Sequence, residues 1–189
     1  MAAKTIFDKD QEAPAGFIEK IMITQSQEEY LASQPDKVVT IQPFDSKVRE
    51  TGTALASMLQ AKMPNLEIIF GGSAALGIAG QNDIDINILT TPEEYNLYRP
   101  LIEEMFGPPI RVTKSIKWGF NYDGFLVDLY LTDKNSPKLQ EQIAAFKLLF
   151  DNKQLREEYE KLKLPYGDQD YKTYMRKKYE FFNRILGLK

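Results

Sequence analysis

The run Asp83-Ile84-Asp85-Ile86-Asn87-Ile88-Leu89 constrains this chain more than any other stretch, because polar and apolar residues alternate along it. Successive side chains of a β-strand point to opposite faces, so the isoleucines predict a strand with one face in the core. Asp83 and Asp85 then share the other face, about 7 Å apart at a rise of ~3.3 Å per residue. Two carboxylates so close repel each other, and they are well placed to bind a hard cation.

Two glycines and a serine lie upstream of this strand. Residues 66–70 are strand formers, so Gly71 and Gly72 fall where that strand ends. Glycine lets backbone N–H groups approach a phosphate closely, and Ser73 adds a hydroxyl donor that can also cap a short helix. We predict a phosphate-binding turn at Gly71, Gly72 and Ser73. The plainer interpretation is an ordinary connector between a strand and a helix.

A third aspartate, Asp128, lies within the apolar segment 125–131, which predicts a largely buried strand. An ionised aspartate there is costly unless it is paired or bound to metal. If this strand lies beside the first, Asp83, Asp85 and Asp128 converge on a pocket for two Mg²⁺ ions, ~3.5–4 Å apart, with Mn²⁺ as the alternative metal. The structural alternatives are an exposed strand face for Asp83 and Asp85 and a turn cap for Asp128.

Composition narrows the available chemistry. The 189 residues include neither cysteine nor histidine, which excludes disulfides, thiolate catalysis, Ser-His catalysis and nearly all zinc-hydrolase layouts. The formal charge of -3 disfavours a protein whose main role is binding the nucleic-acid backbone. Because no signal peptide and no membrane-spanning run are recognisable, we expect a cytoplasmic protein without a membrane partner.

The order of the predicted elements indicates an α+β fold with a mixed β-sheet flanked by helices and a helical C-terminal third. We expect a flexible arm at residues 1–16 and a single domain at 17–189, with its core at 37–131 and its C-terminal helices at 136–187. Asp45 is the predicted cap of a helix that contains Gly52, a residue with low helix propensity. Residues 122–124 are the predicted turn of a hairpin.

Basic residues near these motifs are candidates for contacts with phosphate. Lys114 and Lys117 precede the strand of Asp128, and alternate residues there can face the same pocket. The last predicted helix carries a basic group with Arg176 as the candidate clamp on a triphosphate or acceptor: Lys172, Arg176, Lys177, Lys178 and Arg184. A solvated helix face is the alternative.

The succession of a Gly-Gly-Ser turn, an Asp-x-Asp strand and one further strand aspartate resembles the nucleotidyltransferase superfamily typified by DNA polymerase beta, over roughly residues 66–131. The resemblance implies that Gly72 and Ser73 hold the triphosphate of an NTP. It also implies that Asp83 and Asp85 bind the metals, while Asp128 binds a metal and helps to deprotonate the attacking group.

A more specific likeness covers most of the chain. Residues 41–45 followed by a helix, the turn at 72–79, and the tail from 146 to 178 look like the GrpB-like family of that superfamily. Members of that family commonly carry histidines before the Gly-Ser turn and near the third acidic position. This chain has Phe70-Gly71 and Val127-Asp128-Leu129 there, which moves it toward the catalytically complete superfamily pattern.

The expected function is a Mg²⁺-dependent nucleotidyltransferase that moves a nucleoside monophosphate, most simply AMP from ATP, onto a hydroxyl of a small-molecule acceptor. The alternative is a non-catalytic regulator of the same fold that binds a nucleotide or another phosphorylated ligand. Modification of RNA or DNA ends is a third, less favoured interpretation, based on the basic C-terminal helix. The acceptor, the preferred base and the oligomeric state are not encoded in any recognised motif.

Overall fold

The computed structural model describes residues 23–188, and the arm expected at residues 1–16 lies outside them. The strands of the described part are β1 (Val38–Val39), β2 (Glu67–Gly71), β3 (Ile84–Thr90), β4 (Arg111–Val112), β5 (Ile116–Tyr122), β6 (Phe125–Asp133) and β7 (Gln169–Asp170). Its α-helices are α1 (Gln25–Ser33), α2 (Ser46–Lys62), α3 (Gly72–Leu76), α4 (Tyr95–Phe106), α5 (Pro137–Asp151), α6 (Lys153–Lys163) and α7 (Tyr171–Leu186).

A five-stranded mixed sheet in the order β2-β3-β6-β5-β4 forms the centre of the fold. Its two central strands, β3 and β6, run parallel, whereas the other neighbours are antiparallel. Strands β1 and β7 form a separate two-stranded pair. The α+β class, the mixed sheet and the helical C-terminal third predicted from the sequence are confirmed.

Alternation along β3 places its isoleucines in the core, as predicted. Ile84, Ile86 and Ile88 are fully buried. They pack in one cluster with the apolar residues of β5, β6, α2 and α4, among them Trp118, Leu129, Leu131, Leu55, Leu59 and Ile102. The strand therefore presents its acidic residues on the opposite face of the sheet.

The hairpin between β5 and β6 turns at the predicted place, with a loop of two residues between the paired Tyr122 and Phe125. Asp123 and Gly124 adopt φ values of 49° and 87°, the left-handed conformation that the tightest hairpin turns require at both loop positions. This hairpin brings β5 and its lysine, Lys117, alongside the strand that carries Asp128.

The C-terminal helices pack together on α3 rather than on the main core. A second cluster contains Leu76, Ile78, Leu149, Tyr159 and Phe181, which come from α3, the loop after it and helices α5, α6 and α7. The residues that follow the glycine turn are thus held by the end of the chain. Among the described residues, no helix is both long enough and apolar enough to cross a membrane.

Gly52 lies inside the continuous helix α2 for a packing reason. Asp45 caps this helix, as predicted, and its carboxylate accepts a hydrogen bond from the Lys47 N–H at 2.9 Å. A β-carbon at position 52 would lie 2.4 Å from the ring of Phe70 on β2. The glycine therefore lets β2 pack closely against the helix.

We expect Gly52→Ala to destabilise the protein by at least about 1 kcal/mol, because overpacking against the Phe70 ring outweighs the better helix propensity of alanine. Chemical denaturation of both proteins measures this change. The control is Ser57→Ala in the same helix, where an exposed side chain is shortened and stability should stay within about 0.5 kcal/mol. A stabilised Gly52→Ala protein would contradict the packing explanation.

Candidate active site

Two of the predicted site aspartates are neighbours across the parallel strands. Asp85 on β3 and Asp128 on β6 are register partners, so their side chains lie on the same face of the sheet. Asp83 immediately precedes β3 and falls on that face by alternation. The structure thus brings together the three carboxylates that the sequence analysis singled out.

Burial and mutual repulsion raise the pKa values of Asp83 and Asp85. Burial raises the pKa of Asp85 to about 7, and the charges of Asp83 and Asp128 contribute to that rise. Burial also raises the pKa of Asp83, and the charge of Asp128 adds to it. The cluster therefore carries negative charge that its surroundings leave partly uncompensated.

The glycine turn lies directly against these carboxylates. Gly71 is the register partner of Asp85 at the end of β2, and α3 begins at the next residue. Gly72 has a φ of 73°, and a β-carbon there would lie 2.4 Å from Asp85 Oδ2. No side chain caps the first turn of α3, so its backbone N–H groups remain available beside the acids.

Lys117 is the cation closest to the third aspartate. Its Nζ donates to Asp128 Oδ2 at 2.7 Å, and the Tyr130 hydroxyl donates to the same oxygen at 3.4 Å. Burial alone would lower the pKa of Lys117, but the hydrogen bond to Asp128 and the interactions with Tyr130 and the Asp128 charge together outweigh it, and the pKa is raised. Lys117 was predicted to contact phosphate; the structure places it on a carboxylate of the cluster.

The structure does not bring the other two predicted basic residues to the cluster. Lys114 is exposed in the turn between β4 and β5, where its carbonyl accepts a hydrogen bond from the Tyr95 hydroxyl at 3.0 Å. Arg176 is exposed on α7 and forms a two-pronged ion pair with Glu28 of α1. This pair ties α7 to α1 instead of placing a guanidinium beside the aspartates.

Two lysines that the sequence analysis did not select as site residues lie closer to the turn and the acids. Lys178 on α7 is half-buried and attracts the charges of both Asp83 and Asp85. Burial works against its charge, but the groups around it, Tyr174 and Asp85 first among them, keep its pKa raised. Position 178 follows the buried Tyr174 by one helical turn, and that spacing is the signal that could have identified it.

Lys163 is the second of these lysines, and its side chain is fully buried at the end of α6. Its Nζ donates to Ser73 Oγ at 2.7 Å and to the Ala79 carbonyl, and it lies 4.7 Å from the centre of the Tyr159 ring. Burial, together with the charge of Lys178, lowers the pKa of Lys163 to about 7. No local sequence pattern distinguishes Lys163 from the exposed lysines of the same helix.

The donor set suits a hard divalent cation, although the side chains are not arranged around one. Three carboxylates offer oxygen ligands, the type that Mg²⁺ prefers. Within residues 23–188, however, no group of three or more acidic side chains is positioned to hold a metal ion. In addition, Lys117 donates a hydrogen bond to one oxygen of Asp128.

Fold and site together define an α+β protein with clustered aspartates on one face of a mixed sheet, beside a glycine turn. A family model described as GrpB protein matches residues 38–187. The chain belongs to the GrpB family, as the sequence resemblance indicated.

A solved structure of a protein called GrpB has a similar fold. The conserved protein GrpB from Enterococcus faecalis is 14% identical, with a TM-score of 0.57, and the match covers 77% of this chain and 99% of that one. Cid1, whose title describes an RNA terminal uridylyl transferase activity, is 17% identical with a TM-score of 0.41, over 69% of this chain and 42% of that one. No curated protein matches the chain at a significant level.

Adjacent glycines provide a matched test of the turn. Gly72→Ala should destabilise the protein by about 2 kcal/mol or more, because alanine is strained at positive φ and its β-carbon meets Asp85. Gly71→Ala should be tolerated within about 1 kcal/mol, since a β-carbon there meets nothing within 4 Å. Denaturant unfolding measures both changes, and equal losses would contradict this assignment of the turn.

Asp85→Asn tests the repulsion between the acids. The pKa of Asp85 is about 7 in the folded protein against an ordinary 3.8, so the folded state binds more protons between these pH values. The stability of the unmodified protein therefore falls as pH rises through this window, and the asparagine variant escapes that loss.

In EDTA, the free energy of unfolding of Asp85→Asn should exceed that of the unmodified protein by at least about 1 kcal/mol at pH 8, and by much less at pH 4. Unfolding curves across this pH range measure the difference. Asp123→Asn, in the exposed hairpin turn, is the control and should follow the unmodified protein throughout. A difference that does not depend on pH would contradict the assigned repulsion.

Proposed function

We propose that this protein is a Mg²⁺-dependent nucleotidyltransferase that transfers a nucleoside monophosphate, most simply AMP from ATP, to a hydroxyl of a small-molecule acceptor. The observation that carries the proposal is the in-register pairing of Asp85 with Asp128, with Gly71 opposite Asp85 on the other side. This pairing makes the glycine turn and the acids one continuous site, in the order that resembles the DNA polymerase beta superfamily.

In this proposal, Asp83, Asp85 and Asp128 hold the metal. When bound, Mg²⁺ would lower the pKa of the attacking hydroxyl and neutralise charge on the triphosphate. Backbone N–H groups at Gly72 and Ser73, together with the Ser73 hydroxyl, bind the phosphates at the start of α3. Lys178 on α7 adds a positive charge that interacts with Asp83 and Asp85.

Asp128 is the proposed proton acceptor. The acceptor oxygen forms a bond to the α-phosphorus while the bond from that phosphorus to the pyrophosphate oxygen breaks, and the hydroxyl proton passes to a carboxylate oxygen. Lys117 and the Tyr130 hydroxyl hold Asp128 Oδ2, which leaves Oδ1 as the oxygen for this role.

One observation favours the second candidate, a regulator that binds a phosphorylated ligand without catalysis. Lys117 occupies an oxygen of Asp128 that a metal would need, and the described acids are not positioned around a cation. A regulator of this type needs the turn and the lysines but not the metal.

A panel of NTPs with Mg²⁺ and a pool of metabolite acceptors, scored for pyrophosphate release, tests the proposed activity. We expect release that depends on both the metal and the acceptor. A thermal shift with NTP that is equal with and without Mg²⁺, together with no pyrophosphate from any acceptor, would instead identify the regulator.

Asp83→Asn and Asp128→Asn should each reduce transfer by at least about 100-fold, because each removes a metal ligand and the second also removes the proton acceptor. Pyrophosphate release under saturating NTP measures the loss, and circular dichroism confirms folding. Asp123→Asn is the control, since Asp123 lies in the hairpin turn. Full turnover by Asp128→Asn would overturn the role of this residue.

A further inference from the structure

We propose that Lys163 is a positioning residue that makes the Ser73 hydroxyl a hydrogen-bond donor toward bound phosphate. The inference rests on the proposed function, in which Ser73 binds the phosphates, and adds a residue from a helix 90 positions away in the chain. Its basis is the pair of hydrogen bonds that Lys163 donates to Ser73 Oγ and to the Ala79 carbonyl.

The chemistry of the two groups fixes the direction of the bond. When Lys163 is protonated its ammonium group has only donors, so in that form Ser73 Oγ is the acceptor in the contact between them. The hydroxyl hydrogen of Ser73 is then left for another partner. The same Lys163 Nζ also donates a hydrogen bond to the Ala79 carbonyl, so the lysine holds both acceptors.

The surroundings hold Lys163 in this position. Its side chain is fully buried, with Nζ over the Tyr159 ring. Gly80, which follows Ala79, has no room for a side chain, because a β-carbon there would lie 2.5 Å from the Ser73 β-carbon. Glu160, on the same helix as Lys163, accepts a hydrogen bond from the Ala79 N–H at 2.7 Å. Helix α6 thus binds both Ser73 and the loop that follows α3, at Ala79.

Without Lys163, the Ser73 hydroxyl can rotate and direct its hydrogen elsewhere. Binding phosphate would then require the hydroxyl to be reoriented. The expected effect is a weaker affinity for phosphate that operates only through Ser73. A lysine that touched the phosphate directly would act whether or not the serine were present.

A double-mutant cycle on binding affinity separates these two modes of action. The probe is inorganic tripolyphosphate with Mg²⁺, measured by calorimetry, because it carries no base and does not depend on which nucleotide the protein prefers. Lys163→Met and Ser73→Ala should each weaken binding by about tenfold, the value of one hydrogen bond to a charged group. In the Ser73→Ala background, Lys163→Met should have an effect of at most about twofold.

The control is Lys161→Met, which removes an exposed lysine from the same helix and should leave the affinity unchanged. If Lys163→Met does not fold, Lys163→Gln takes its place, since it keeps an N–H donor without the charge; its affinity should stay within about threefold of the unmodified protein. A folded glutamine variant that loses tenfold would overturn the inference.

The possible outcomes distinguish this inference from the proposed function. Additive losses in the cycle, with normal binding by the unmodified protein, overturn the role of Lys163 alone. Coupled losses without pyrophosphate release in the NTP panel support Lys163 and overturn the transferase. If the unmodified protein does not bind tripolyphosphate, the phosphate-binding turn itself is wrong, and both proposals fail with it.

Discussion

The parallel pairing of β3 with β6 is the interaction on which the site depends. Its register places Asp85 beside Asp128, while the antiparallel neighbour β2 places Gly71 on the other side of Asp85. A shift of one residue would turn every side chain of a strand to the opposite face, moving its isoleucines to the face of the site and its acids into the core. Burial of Ile84, Ile86 and Ile88 therefore fixes the register, and the same burial fixes the site.

The acids and the cations of the site come from different parts of the fold. The sheet supplies the aspartates and one lysine, Lys117, whereas the C-terminal helices supply Lys163 and Lys178. Only the bond from Lys117 to Asp128 is a direct ion pair within this group. Burial, together with nearby charges of the same sign, both raises the pKa of Asp85 and lowers the pKa of Lys163.

The fold and the acidic cluster were predictable from the sequence because both follow from alternation. A period of two residues identified β3 and assigned its faces, and an aspartate in the apolar run of β6 indicated the third acid. The basic residues could not be predicted in the same way, because a lysine on a helix reaches the site only through the packing of that helix. Arg176 and Lys178 are two residues apart on α7, yet one pairs with Glu28 and the other faces the aspartates.

The division of the site between sheet and helices has a consequence for synthesis on the ribosome. The nascent chain contains all three acids and Lys117 once residue 128 has emerged, so Asp128 can be neutralised within the sheet. Asp83 and Asp85 gain the larger contribution of Lys178 only about 50 residues later, and until then only the smaller contributions of Lys117 and Lys163 offset their repulsion. Packing of α7 is thus the step that brings the charge of Lys178 to Asp83 and Asp85 in the newly synthesised protein.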